Sequence, residues 1–195
     1  MIAVIGCGRS GTKYFSILME KIGLDVGHEK LGKHGISSWC LVPDSDLSIF
    51  GPSFSELKYL NMPIVHQIRN PLNTISSSLT FMDYSWNFIQ HFIPISRYDS
   101  TLLKSMKYWY YWNLMARKKA CYSYRIENIK NEIDGLMDIG DFSHIIPVNE
   151  NTIAETSKRI NSRPHRSLSW EEIENEDDSL TSKIYKLAVR FGYDY

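Results

Sequence analysis

No stretch of the 195-residue chain stays apolar for the length of a membrane span, so no membrane partner is expected. Charge of one sign is also lacking: 22 Lys and Arg stand against 22 Asp and Glu, for a formal net charge of zero. No global field therefore recruits nucleic acid, and any polyanion has to be held by a local patch. Cysteine is scarce. Cys7, Cys40 and Cys121 are far apart, odd in number and form no C-x-x-C pair, which argues against a disulfide framework or a zinc site. The opening run Ile2 to Cys7 has no basic flank and is too short for a signal peptide, so it reads as a buried strand. A reducing cytoplasm is the expected setting. Low-complexity linkers and internal repeats are missing too, and the length fits one domain over 1–195.

What the chain does have is a glycine loop at its start. Ile2 to Ile5 is a continuous apolar run, as in a central parallel strand. It leads into Gly6-Cys7-Gly8-Arg9-Ser10-Gly11-Thr12-Lys13, after which Tyr14, Phe15, Ile17, Leu18 and Ile22 recur at helical spacing up to Gly23. Strand, loop and helix make a βα unit, and the helix N-terminus it creates attracts anions through free N–H groups and its dipole. A second unit follows: the buried strand Pro63–Ile68, then Arg69-Asn70-Pro71, with Pro71 in the first turn of a helix through Leu79. A long helix is expected from about Thr101 to Lys119, a short strand at Cys121–Arg125, and helical patterns near Thr152–Ile160, Trp170–Ile173 and Leu180–Phe191. Alternating strands and helices imply a three-layer α/β domain, a central parallel sheet flanked by helices.

The loop is close to a Walker A sequence, G-x-x-x-x-G-K-[ST], but Thr12 and Lys13 stand in reverse order. A magnesium-dependent NTPase also needs a carboxylate closing a second apolar strand. Here the strand after Pro63 ends in Gln67-Ile68-Arg69, and the one after Cys121 ends in Arg125. Cations at those ends suit an anion neutralised by side chains and backbone alone.

Arg9-Ser10-Gly11-Thr12-Lys13 resembles the 5′-phosphosulfate loop of the sulfotransferases that use 3′-phosphoadenosine 5′-phosphosulfate (PAPS), which reads roughly [KR]-S-G-T-[TS]. Arg69-Asn70-Pro71 with Ser77 eight residues on is similar to that family's 3′-phosphate signature. Arg125-Ile126-Glu127 resembles its R-Y-E-D-L segment, with Ile126 for Tyr and Asn128 for Asp, and Tyr108–Ala116 resembles its W-x-x-W-rich helix. These landmarks cover most of residues 1–130. The region 81–100 and the C-terminal third match only loosely.

The resemblance implies a PAPS-dependent sulfotransferase of P-loop-like fold. It would pass a sulfuryl group to an acceptor hydroxyl, on a carbohydrate or small molecule, with an amine as the second choice, and release adenosine 3′,5′-bisphosphate with no metal. Arg9 would hold the transferring group, with Gly8, Ser10, Gly11 and Thr12 offering N–H groups and hydroxyls to the 5′-phosphate. Arg69 and Ser77 would share the 3′-phosphate. Lys13 departs from the pattern: it either adds charge at the phosphosulfate or points to solvent. Tyr14 either stacks on adenine or packs into the core. For the base, Glu29 matches a Glu of tyrosylprotein sulfotransferases, with neighbouring His28 the alternative. Lys158, Arg159, Arg163, His165 and Arg166 form a basic stretch in which Arg163 or Arg166 would cover the 3′-phosphate, unless the stretch is a solvated face balanced by the acids of 171–178. Gly32–Trp39 reads as a loop, lining the acceptor pocket or merely connecting. The stretch from Phe81 to Tyr98 supplies acceptor walls, core or an oligomer contact. Two rival readings are an ATP-dependent small-molecule kinase with a divergent loop and a non-catalytic nucleotide- or anion-binding module.

Overall fold

The computed structural model describes residues 1–142 and 165–194. Within them the expected α/β architecture is present. Five strands, β1 (Ile2–Gly6), β2 (Val26–His28), β3 (Gly35–Ser37), β4 (Ile64–Ile68) and β5 (Tyr122–Arg125), form a sheet ordered β2-β3-β1-β4-β5, and every pairing is parallel. Between them lie α1 (Thr12–Lys21), α2 (Phe54–Leu57), α3 (Pro71–Ser78), α4 (Asp83–Ile89) and α5 (Thr101–Lys119), and α6 (Ile129–Ile139) follows β5. Two further helices, α7 (Trp170–Glu176) and α8 (Asp178–Arg190), come from the C-terminal part. The helix expected near Thr152–Ile160 lies outside the described residues. No helix among the described residues is long and apolar enough to cross a membrane.

The apolar run at the start of the chain is buried on both faces, and its side chains alternate between them. Ile2 and Val4 pack with Phe15, Leu18 and Met19 of α1 and Ile133, Leu136 and Met137 of α6. Ala3, Ile5 and Cys7 belong to the opposite core, with Met106, Trp109 and Trp112 of α5 and Ile184 and Leu187 of α8. That is the three-layer arrangement. Strand order decides where a ligand fits. From β1 the chain goes out to the edge strand β2 and returns to β3 beside β1, then crosses to β4 and β5 on the other side. A crevice therefore opens at the carboxyl end of β1, where the direction reverses.

Two elements show how local sequence and packing combine. Ser100 caps α5 by accepting the Leu103 N–H at 2.9 Å, and Arg117, Lys118 and Lys119 occupy its last turn, where the helix dipole favours cations. Between those ends, Met106, Trp109, Trp112 and Ala116 present a buried stripe. The Trp112 Nε1–H donates to the Trp39 carbonyl at 3.1 Å. Trp112→Ala is expected to lower unfolding free energy by about 3–5 kcal/mol, from lost burial and the cavity left, read by denaturant titration.

The stretch expected to be a loop at Gly32–Trp39 contains β3, and this corrects the sequence reading. Only Ile36 offers the strand an apolar side chain, so no alternation marks it. Pairing with β1 and β2 on its two edges supplies the order that the pattern lacks. Gly35, at φ 140°, lies so close to the Ile2 backbone that a Cβ would overlap its carbonyl oxygen.

Candidate active site

The crevice at the end of β1 is a cleft of about 750 Å³. Its floor is the glycine loop with the start of α1: Gly8, Arg9, Ser10, Gly11, Thr12, Lys13 and Tyr14 all line it. Gly11, in a left-handed conformation at φ 96°, turns the chain into α1. No side chain caps this helix and no acid sits in its first turn. Its leading N–H groups thus keep the attraction for an anion that a capping side chain would satisfy. Ser10 Oγ is buried with no hydrogen-bond partner among the described residues, as a group awaiting a ligand oxygen would be. Not every loop amide is available. The Gly8 N–H donates to the Tyr108 phenol at 2.5 Å and the Ser10 N–H to the Cys7 carbonyl at 3.0 Å, which narrows the anion-facing set to the residues that follow.

Arg69 and Ser77 enter the same cleft from the end of β4 and from α3. Asn70 caps α3 by accepting the Asn73 N–H at 3.2 Å, Pro71 follows in the first turn, and Ser77 then lies two turns along. The Arg69 guanidinium donates to the Arg9 carbonyl at 2.9 Å, tying the two signatures together. Desolvation lowers the Arg69 pKa from its ordinary value, while Glu127 and Tyr193 oppose that shift. Arg9 itself has φ 71°, a left-handed backbone at a non-glycine residue. Its side chain donates to Thr80 Oγ1 at 3.3 Å and lies 5.2 Å from the Phe81 ring centroid, so it is held against the cleft wall.

His28 and Glu29, at the end of β2, also line the cleft. Glu29 has φ 55°, and its Oε1 accepts the Trp39 indole N–H at 3.0 Å. Burial raises the Glu29 pKa above the ordinary carboxylate range; the Trp39 hydrogen bond, Lys13 and Arg9 only partly offset this. Such a carboxylate is a stronger proton acceptor than a solvated one. His28 Nε2 lies 3.4 Å from Thr12 Oγ1 and 3.8 Å from Glu29 Oε1. Burial, helped by the Lys13 charge, lowers its pKa to about 4, so the ring is neutral near pH 7. Lys13, exposed as it is, lines the cleft and acts electrostatically on both residues. Beyond Glu29 the wall is aromatic. Trp39 stacks on Phe81 at 5.9 Å, and Phe50 meets Tyr84 edge-on at 6.0 Å.

No family model matches the sequence. No curated protein matches it either. Among solved structures, the chain is similar to a crystal structure of mouse sulfotransferase SULT7A1 complexed with PAP, at 16% identity and a TM-score of 0.44. The match covers 80% of this chain and 62% of that one, so the chain spans less than two thirds of the neighbour's length. A likeness of that grade fixes neither ligand nor activity.

The cleft thus brings together the loop, Arg69, Ser77, Glu29 and His28 from four separate stretches of sequence. Tyr14 does two things at once: it lines the cleft and packs partly against the α1–α6 core. Of the C-terminal basic stretch, His165 reaches the cleft, with Nδ1 2.9 Å from Ser76 Oγ. Arg166 instead pairs with Glu172 at 2.5 Å, as a solvated face does. Lys158, Arg159 and Arg163 lie outside the described residues. Arg125 is not part of the cleft lining; it stacks over Tyr193 at 5.3 Å and donates to the Gly192 carbonyl. Sequence reasoning missed Tyr108 as a loop partner, because a tyrosine on a buried helix stripe carries no mark of what its hydroxyl meets.

Proposed function

We propose that the chain is a PAPS-dependent sulfotransferase acting on an acceptor hydroxyl. One observation carries the reading: an uncapped helix N-terminus with Arg9, the Arg69–Ser77 pair and a raised-pKa carboxylate face one cleft of about 750 Å³. PAPS would supply a sulfuryl group already joined to a good phosphate leaving group. The chain's residues then divide the work. Amides at the start of α1 and Arg9 hold the 5′ end, where negative charge builds on the leaving oxygen. Arg69 and Ser77 select the 3′-phosphate, with His165 beside them. Glu29 accepts the acceptor's proton, while His28 and Lys13 shape its surroundings. Trp39, Phe50, Phe81 and Tyr84 favour an acceptor with an apolar face next to its hydroxyl.

Calorimetric titration of adenosine 3′,5′-bisphosphate against ATP with Mg²⁺ tests this reading. The bisphosphate should bind at least about tenfold more tightly, and Ser77→Ala should remove about tenfold of that affinity, the size of one lost charge-assisted hydrogen bond. Tighter binding of ATP with Mg²⁺ would favour a kinase. Binding of the bisphosphate without turnover of any hydroxyl acceptor would favour a non-catalytic module.

A further inference from the structure

The carbonyl side of the loop is as ordered as its amide side, and by residues that line no part of the cleft. Gln67 of β4 is fully buried, and its Nε2 donates to the Ser10 carbonyl at 2.8 Å. The phenol of Tyr124, on neighbouring β5, donates to Gln67 Oε1 at 2.6 Å. The chain of donors has only one consistent direction. A carbonyl can only accept, so the Gln67 group facing Ser10 must be the amide nitrogen. That leaves Oε1 toward Tyr124, whose hydroxyl must then donate. Burial raises the Tyr124 pKa well above its ordinary value, so the donor proton stays in place across the working range.

From this network we infer that Tyr124 and Gln67 are positioning residues for anion binding, acting through the Ser10 carbonyl. Holding that carbonyl back toward the sheet sets the Ser10–Gly11 peptide plane, so the N–H on its other side points away from β4, toward the cleft. Arg69 also holds the preceding peptide, through the Arg9 carbonyl, but the N–H of that peptide, Ser10's, is taken by the Cys7 carbonyl, which leaves the Gly11 N–H as the one this network aims. Gln67 lies near the end of β4, two residues before Arg69, the cation that stands where an NTPase would close the strand with a metal-binding acid. A carboxylate in place of Gln67 would face a carbonyl oxygen with no proton to offer it.

The inference rests on the reading that the loop holds a 5′-phosphate, and its test separates the two. Two ligands are titrated into the full chain: adenosine 3′,5′-bisphosphate, which needs both ends of the site, and adenosine 3′-monophosphate, which lacks the 5′-phosphate. Tyr124→Phe is expected to weaken the bisphosphate by about tenfold, and Gln67→Glu by more, since it removes the donor itself. Affinity for the 3′-monophosphate should stay within about twofold in both variants, a contrast that general destabilisation cannot produce. Equal losses for both ligands, or bisphosphate binding unchanged in both variants, would overturn the inference. Failure of the unmodified chain to bind the bisphosphate would overturn the functional reading, and the inference with it. Should Gln67→Glu fail to fold, Tyr124→Phe decides alone, because it deletes one oxygen and keeps the ring packed.

Discussion

Arg9→Ala is expected to lower turnover by about a thousandfold or more while weakening adenosine 3′,5′-bisphosphate by only a few-fold. The asymmetry follows from where the charge is needed. On the proposed function bisphosphate binding would draw on the α1 amides, Arg69 and Ser77 as well, so it should survive the loss of one cation. The transition state of that reaction would place new charge on the bridging oxygen beside Arg9, and the other guanidinium lining the cleft among the described residues, Arg69, is engaged with the Arg9 carbonyl. Thr80 and Phe81 already hold that side chain against the cleft wall, so little ordering remains to be done at the moment of reaction. Arg9→Lys should fall between, keeping the charge but losing the fork. Single-turnover kinetics separates the two effects, and full activity of Arg9→Ala would sink the assignment.

Glu29→Gln has the second large effect, a loss of about 10²–10⁴-fold in kcat. Its pH signature is more specific than its size. As the proposed base Glu29 would work only when ionised, so activity should rise with pH through its pKa, which burial places above the ordinary carboxylate value. The amide variant should lose that acid limb. Stability should move the other way. A carboxyl whose folded pKa lies above its unfolded value supports the fold below the unfolded pKa and loses that contribution as pH rises through the folded one. Once ionised, Glu29 carries a burial penalty that the Trp39 hydrogen bond, Lys13 and Arg9 only partly offset, so Glu29→Gln, whose Oε1 can still accept from Trp39, should not lower the melting temperature. If Glu29→Gln keeps its activity and His28→Ala loses it, the base is His28.

Much of this molecule is legible in its sequence, but unevenly. The β1–loop–α1 unit, β4 with α3, and α5 each carry their own signal: an apolar run, a glycine or proline at a turn, or a buried stripe at helical spacing. The expected bounds for α5, Thr101 to Lys119, are the observed ones. β3 was not legible because its order comes from its neighbours rather than from its three residues. At the site, the meeting of Arg69, Ser77 and the loop in one cleft could be expected from two separated motifs, though not the Arg69 bond to the Arg9 carbonyl. The Tyr124–Gln67–Ser10 chain could not, since nothing in a tyrosine's place along a strand says which amide its hydroxyl will meet.

The left-handed backbone at Arg9 (φ 71°) and Glu29 (φ 55°) has a consequence for how this protein would change under selection. Residues other than glycine and asparagine cost about 1–3 kcal/mol there, and on the proposed function it is catalysis that keeps Arg and Glu at these two positions. A variant library sorted for heat resistance alone should therefore drift to Gly or Asn at both positions. Its survivors would be hardier proteins that no longer turn over any substrate. The same library sorted for turnover should keep Arg and Glu and find its stability elsewhere, for example in the surface of α8.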